Sequence, residues 1–120
     1  MERDITEAEF IDMLQNGQRS FHRIYVEAGA YHGFDFSDLT FEVCLFSVDF
    51  SGSKFENTRF INSNLKACDF SNCLFTNAIL IGNALDGANF KGAIVNGVTF
   101  IENTYHSIVL TEHHLTEMIL

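Results

Sequence analysis

The chain has 120 residues, 47% hydrophobic and 19% charged, with a formal net charge of −9 at pH 7. That is the length of one domain, and it is too apolar for a disordered chain. The acidity disfavours direct nucleic-acid binding, which needs Lys and Arg against phosphates, and no apolar run of about 18 residues is present to form a membrane helix.

Residues 1–17 are expected to form an N-terminal capping helix. "MERDITEAEF" is acidic and lacks the apolar stretch of a signal peptide, so a cytoplasmic protein is the expectation. Thr6 and Glu9 make an S/T-x-x-E capping box, Phe10, Ile11 and Leu14 share a helical face, and Asn16-Gly17 is a stop signal.

From residue 18 to 110 the sequence has a period of five. Large apolar centres stand at Phe50, Phe55, Phe60, Leu65, Phe70, Phe75, Leu80, Leu85, Phe90, Val95, Phe100, Tyr105 and Leu110. Before a single four-residue step they stand at Phe21, Val26, Tyr31, Phe36, Phe41 and Phe46. These 19 centres hold 11 of the 13 phenylalanines, far above the fifth that a random placement gives, which marks a repeat fold. Five residues advance a helix by about 500° and smear the row around its axis. On a strand an odd step flips each residue to the other face. The chain must therefore turn once per repeat. Two residues before most centres sits a small residue, such as Ser53, Thr58, Cys68 or Ala78, and two residues after most of them sits Gly or Asn, which tolerate the positive φ of a tight corner.

"CDFSNCLFTN" (68–77) and "ANFKGAIVNG" (88–97) carry the pattern best, and with them the chain resembles the pentapeptide-repeat family. The resemblance implies an all-β fold, a right-handed quadrilateral β-helix of four to five coils with four repeats per coil. Centres and minus-two residues would fill its interior. On this register the first side stacks Phe21, Phe41, Phe60, Leu80 and Phe100. The second stacks Val26, Phe46, Leu65, Leu85 and Tyr105. The third stacks Tyr31, Phe50, Phe70, Phe90 and Leu110, and the fourth Phe36, Phe55, Phe75 and Val95. The step from Phe46 to Phe50 predicts a distorted corner or a bulge. Phe34 and Leu39, large at inner positions, predict wide or irregular early coils.

Residues 111–120 are expected to form a C-terminal helix with Thr111 as its cap. Its apolar residues Leu115, Met118 and Ile119 either close the last coil or join an interface with a second copy.

Catalytic chemistry has no visible constellation. Cys44, Cys68 and Cys73 are an odd number of thiols without a CxxC pair, all at inner positions, and read as buried and reduced. His22, His32 and His106 follow centres and face outward, and His113-His114 are sequence neighbours that a helix points apart. No metal, cofactor or phosphate loop is expected. The outer surface is more informative. Ile61, Ile81 and Ile101 share one outward column, with Ile79 beside it, and form a candidate apolar interaction patch.

Two functional readings follow. One is a non-catalytic scaffold or protein-binding module, with a homodimer among its forms. Relatives suggest the other: an acidic DNA mimic that binds DNA gyrase or a related topoisomerase. Residues 19–110 hold nine acids and six bases, so the rod itself is only mildly acidic, which favours the first.

Overall fold

A computed structural model describes residues 3–120; Met1 and Glu2, the start of the expected cap, lie outside the described residues. The chain opens with β1 (Arg3–Asp4) and α1 (Glu7–Gln15). Thr6 caps α1 as expected: Glu9 N–H donates to Thr6 Oγ1 (3.1 Å) and Thr6 N–H donates to Glu9 Oε1 (2.9 Å). The bond from the Thr6 backbone holds the Glu9 carboxyl below the usual carboxylate range. The helix stops at Asn16, followed by Gly17 at φ 81°.

The rod carries nine short strands. They are β2 (Ser20–His22), β3 (Ile24–Val26), β4 (Thr40–Glu42), β5 (Leu45–Phe46), β6 (Arg59–Ile61), β7 (Ile79–Ile81), β8 (Thr99–Ile101), β9 (Thr104–Tyr105) and β10 (Ile108–Val109). The chain then ends in α2 (Glu112–Met118). It winds as a right-handed quadrilateral β-helix. On the first side β2, β4, β6, β7 and β8 form one parallel sheet. In it Phe21 lies against Phe41, Phe41 against Phe60, Phe60 against Leu80 and Leu80 against Phe100. The other sides are held by single bridges in the same order, such as Asp49 to Asp69 to Asn89 and Lys54 to Leu74 to Ile94.

Most centres are fully buried, including the weakly patterned Phe21, Val26 and Tyr31. The rings stack within a column and meet edge to face across corners. Phe36, Phe55 and Phe75 follow one another at 5.1 Å, nearly parallel, whereas Phe50 and Phe55 lie 5.3 Å apart at 89°. Both are favoured aromatic geometries. Burial adds about 1.5–3 kcal/mol per large side chain.

The small inner residues also bind the coils through polar atoms. Thr58 Oγ1 donates to Phe36 O (2.7 Å), and Cys68 and Cys73 Sγ donate to Phe46 O and Phe50 O (3.0 Å each). Ser53 Oγ donates to Tyr31 O. On one corner this becomes a continuous buried ladder. Cys44 N–H donates to Ser63 Oγ, Ser63 N–H to Asn83 Oδ1 (2.9 Å) and Asn83 N–H to Asn103 Oδ1 (3.0 Å). Asn83 Nδ2 also reaches Phe60 O, and Asn103 Nδ2 reaches Leu80 O. Two residues after the centres, the corners turn through left-handed residues such as Asn57, Asn72 and Asn77 (φ 58–60°). Gly82 (φ 73°) takes the same conformation without strain, and a Cβ there would push aside Asn62 Oδ1 of the coil below.

The four-residue step proves to be a shortened corner. Val26 pairs with Phe46 and Ala30 with Asp49, so three residues of the first coil face two of the second. Val48 stands two after Phe46 and two before Phe50. It takes the second role: it is buried and has no positive φ. This corner therefore turns without the left-handed residue that Val43 (φ 54°) supplies at the one before it. The expected irregularity at the inner positions of the first coil takes two forms. Leu39 is buried, whereas Phe34 is half-buried at the rim and stacks on Phe36 at 5.8 Å.

Both ends depart from the sequence expectation. At the start, β1 pairs with β3 and adds part of a coil below the first. Phe10 of α1 plugs that end, with ring centroids 5.5 Å from Phe21, Tyr31 and Phe46. At the other end Leu110 does not continue the third column. His106 (φ 48°) and Ser107 (φ 67°) turn the chain back, and β10 pairs antiparallel with β9.

Phe10→Ala is expected to cost about 3–5 kcal/mol of unfolding free energy in urea, the range for an emptied aromatic site. Asn83→Ala leaves Ser63 N–H unpaired in the interior and is expected to cost about 1–3 kcal/mol by the same measurement.

Candidate functional site

The outward face of the first side is built by strand alternation, since a residue next to an inward centre must point to solvent. The register pairs Ile61 with Ile81 and Ile81 with Ile101, so the three isoleucines form one unbroken column. Ile79 stands across β7 between Arg59 and Thr99. Ile61, Ile79 and Ile81 are half-buried and Ile101 is 48% exposed. The early coils of this side are polar: His22 and Glu42 continue the same column and pair at 3.1 Å. The face is thus apolar towards the C-terminus and charged towards the N-terminus.

The C-terminal residues act first on their own rod. Thr111 caps α2, Leu115 is buried, and Met118 and Ile119 are half-buried against the core. Gly92 N–H donates to Ile119 O (2.8 Å), tying the helix end to the fourth coil. What this end exposes is Ile108 (62%), Val109 (59%) and Leu120 (83%). A groove of about 420 Å³ lies between β10 and α2, lined by Phe90, Tyr105, Leu110 and Met118 with His114 and Glu117. Sequence reasoning missed Ile108 and Val109. The available signal was the loss of a small residue two before Leu110.

The thiols lie inside the rod. Burial pushes Cys68 and Cys73 up to about 12 and raises Cys44 as well. Four histidines sit beside carboxylates: His22 by Glu42, His32 by Asp49 (3.4 Å), His106 by Asp86 (3.3 Å) and His113 by Glu117 (2.9 Å). Among the described residues no three His, Cys, Asp or Glu side chains converge as metal ligands. No described helix is long and apolar enough to cross a membrane.

Acidic side chains are dispersed over the rod. Glu42 lies beside His22 (3.1 Å), and Asp35 neighbours Lys54 on the next coil. Asp49 folds over its own corner and accepts Ser51 N–H (2.9 Å), which holds its carboxyl below the usual range.

Residues 44–82 match the family model for pentapeptide repeats, in 8 copies. The middle of the chain is thus built of pentapeptide repeats. Its structure carries the same five-residue side beyond that segment in both directions, from Phe21 to Tyr105. No curated protein matches its sequence. Among solved structures it is similar to alr5209, a pentapeptide repeat protein from Nostoc Pcc 7120, at 20% identity and TM-score 0.45, over 90% of this chain and 91% of that one. It is also similar to Rfr23 from the cyanobacterium Cyanothece 51142, at 18% identity and TM-score 0.44, over 88% and 95% of the two chains. A third is QnrB1, a plasmid-mediated fluoroquinolone resistance protein, at 19% identity and TM-score 0.38, over 83% of this chain and 47% of that one.

Buried thiols with raised pKa values mean slow thiolate chemistry. A coloured aromatic disulfide reagent at pH 8 is expected to label none of Cys44, Cys68 and Cys73 within minutes in the folded protein, and all three in denaturant.

Proposed function

We propose that the protein is a non-catalytic binding module, a stiff rod whose first side meets a protein partner through Ile61, Ile79, Ile81 and Ile101. The observation that carries this reading is the column of three isoleucines in register on adjoining strands. Other outward apolar columns are shorter, such as Leu74 with Ile94. A flat sheet face with β-branched side chains offers fixed shape at little entropic cost, since these side chains have few rotamers to lose. The polar coils beside it give orientation, because a partner shifted along the rod meets His22 and Glu42 in place of isoleucine. Three buried cysteines kept as free thiols suit a reducing, cytoplasmic setting.

A second copy is the first partner to test. Lysine at Ile61, Ile81 and Ile101 is expected to abolish self-association in sedimentation runs while leaving the folded far-UV spectrum unchanged. A wild-type protein that stays monomeric at about 100 μM, a concentration at which even weak interfaces assemble, removes the homodimer form of this reading.

The second reading, an acidic mimic of DNA directed at DNA gyrase or a related topoisomerase, has the net charge of −9 in its favour. The dispersion of acids over the rod weighs against it, since mimicry needs charge concentrated along one face. A supercoiling assay separates the two. The binding-module reading expects no inhibition or protection of the topoisomerase at micromolar protein.

A further inference from the structure

The two helices of the chain start with the same device built from different chemistry. In α1 the third helical residue is Glu9, whose carboxylate accepts the Thr6 N–H. In α2 that place is held by His114, whose Nδ1 accepts the Thr111 N–H (2.9 Å) and lies 3.0 Å from the Thr111 hydroxyl. Nδ1 accepts only while it carries a lone pair, so the imidazole must be neutral there. We propose that α2 is a pH-sensitive lid over the C-terminal end of the rod, latched by neutral His114.

Protonation acts on the latch in two ways. It removes the lone pair that accepts the Thr111 N–H, which breaks half of the capping box and leaves only the Thr111 hydroxyl oxygen (3.0 Å) to receive the new N–H. It also places a cation in the first turn, at the positive end of the helix dipole. His113, one residue earlier, adds a second cation to that turn. Its pair with Glu117 works in the opposite sense, since protonation strengthens it. The His113 pair is exposed on both sides and worth little, so loss of the bond from the Thr111 N–H prevails. The other ionisable groups near His114 are Glu112 and Glu117 on its own helix and Tyr105 across the groove. The facing rod residues Ala88, Asn89 and Phe90 carry no charge.

The latch matters because α2 rests on a small contact. Leu115 is its one fully buried side chain, Met118 and Ile119 are half-buried against the core, and the Gly92 N–H bond to Ile119 O ties its far end. Releasing the helix frees the Gly92 N–H and opens the groove over Phe90 and Leu110 to solvent. This inference is independent of the isoleucine face.

Amide hydrogen exchange, expressed as protection factors so that the intrinsic pH dependence cancels, reads the lid directly. Between pH 7.5 and pH 5, where imidazoles titrate, Gly92 and Ile119 are expected to lose about fivefold in protection, the equivalent of one cap. Phe55, bonded to Leu74 O in mid-rod, and Phe10, bonded to Thr6 O under the carboxylate-based cap, are expected to change little. His114→Gln keeps a neutral acceptor at the same place and is expected to abolish the pH effect. Thr111→Ala is expected to lower protection of Gly92 already at pH 7.5. Unchanged protection at Gly92 and Ile119 in the wild type overturns the proposal. So does an equal loss in His114→Gln, which would assign the effect to another group.

Discussion

Each coil rests on one contact: a large inward side chain lying on its counterpart in the coil below. In the phenylalanine columns the rings repeat at 5.0–5.5 Å, close to the spacing of about 4.8 Å between paired strands. A flat ring therefore fills the gap that backbone pairing leaves, and the two interactions reinforce each other. The rest of the composition follows from that match. Corners must turn sharply enough to return the next ring to the axis, which selects Asn and Gly. Nearly every side needs its N–H groups for the coils beside it, and the chain contains no proline.

The same contact explains why the two ends differ. At the N-terminus a helix inserts Phe10 among rings of the first two coils, so the column continues into the cap. Towards the C-terminus the centres become Leu80, Leu85, Val95 and Tyr105, and the last two are only half-buried. There the cap is a hairpin and a seven-residue helix. A stack whose units contact only their neighbours loses its weakest end first, and here that end carries the groove, the exposed Ile108 and Val109, and the histidine-based cap.

The interior was the most legible part of the sequence. A five-residue spacing has one structural solution, so Phe55 or Leu65 needed no tertiary knowledge to be placed. Both helix caps were legible for a similar reason, since Thr6 with Glu9 and Thr111 declare themselves locally. Arg3–Asp4 were not, because two polar residues become a strand only when a sheet edge is already present to pair with them. The hairpin at His106-Ser107 was hidden because Leu110 kept the period after the coil had ended. The isoleucine column was legible as geometry. Its partner was not, because affinity is decided jointly by two surfaces and only one is written in this chain.

The shortened corner at Val48 has a consequence for how such rods are compared. Beyond it, every row of the structure is offset by one residue from a strict count of twenty. Comparing the sequence with itself at that fixed lag sets Phe41 against Ile61, a ring in the axis against a side chain on the outer face, while its true neighbour is Phe60. A single lost residue thus exchanges the apparent inside and outside of a whole coil while the object itself stays regular. Tolerance of substitution along this chain must be counted in turns of the rod, not in residues.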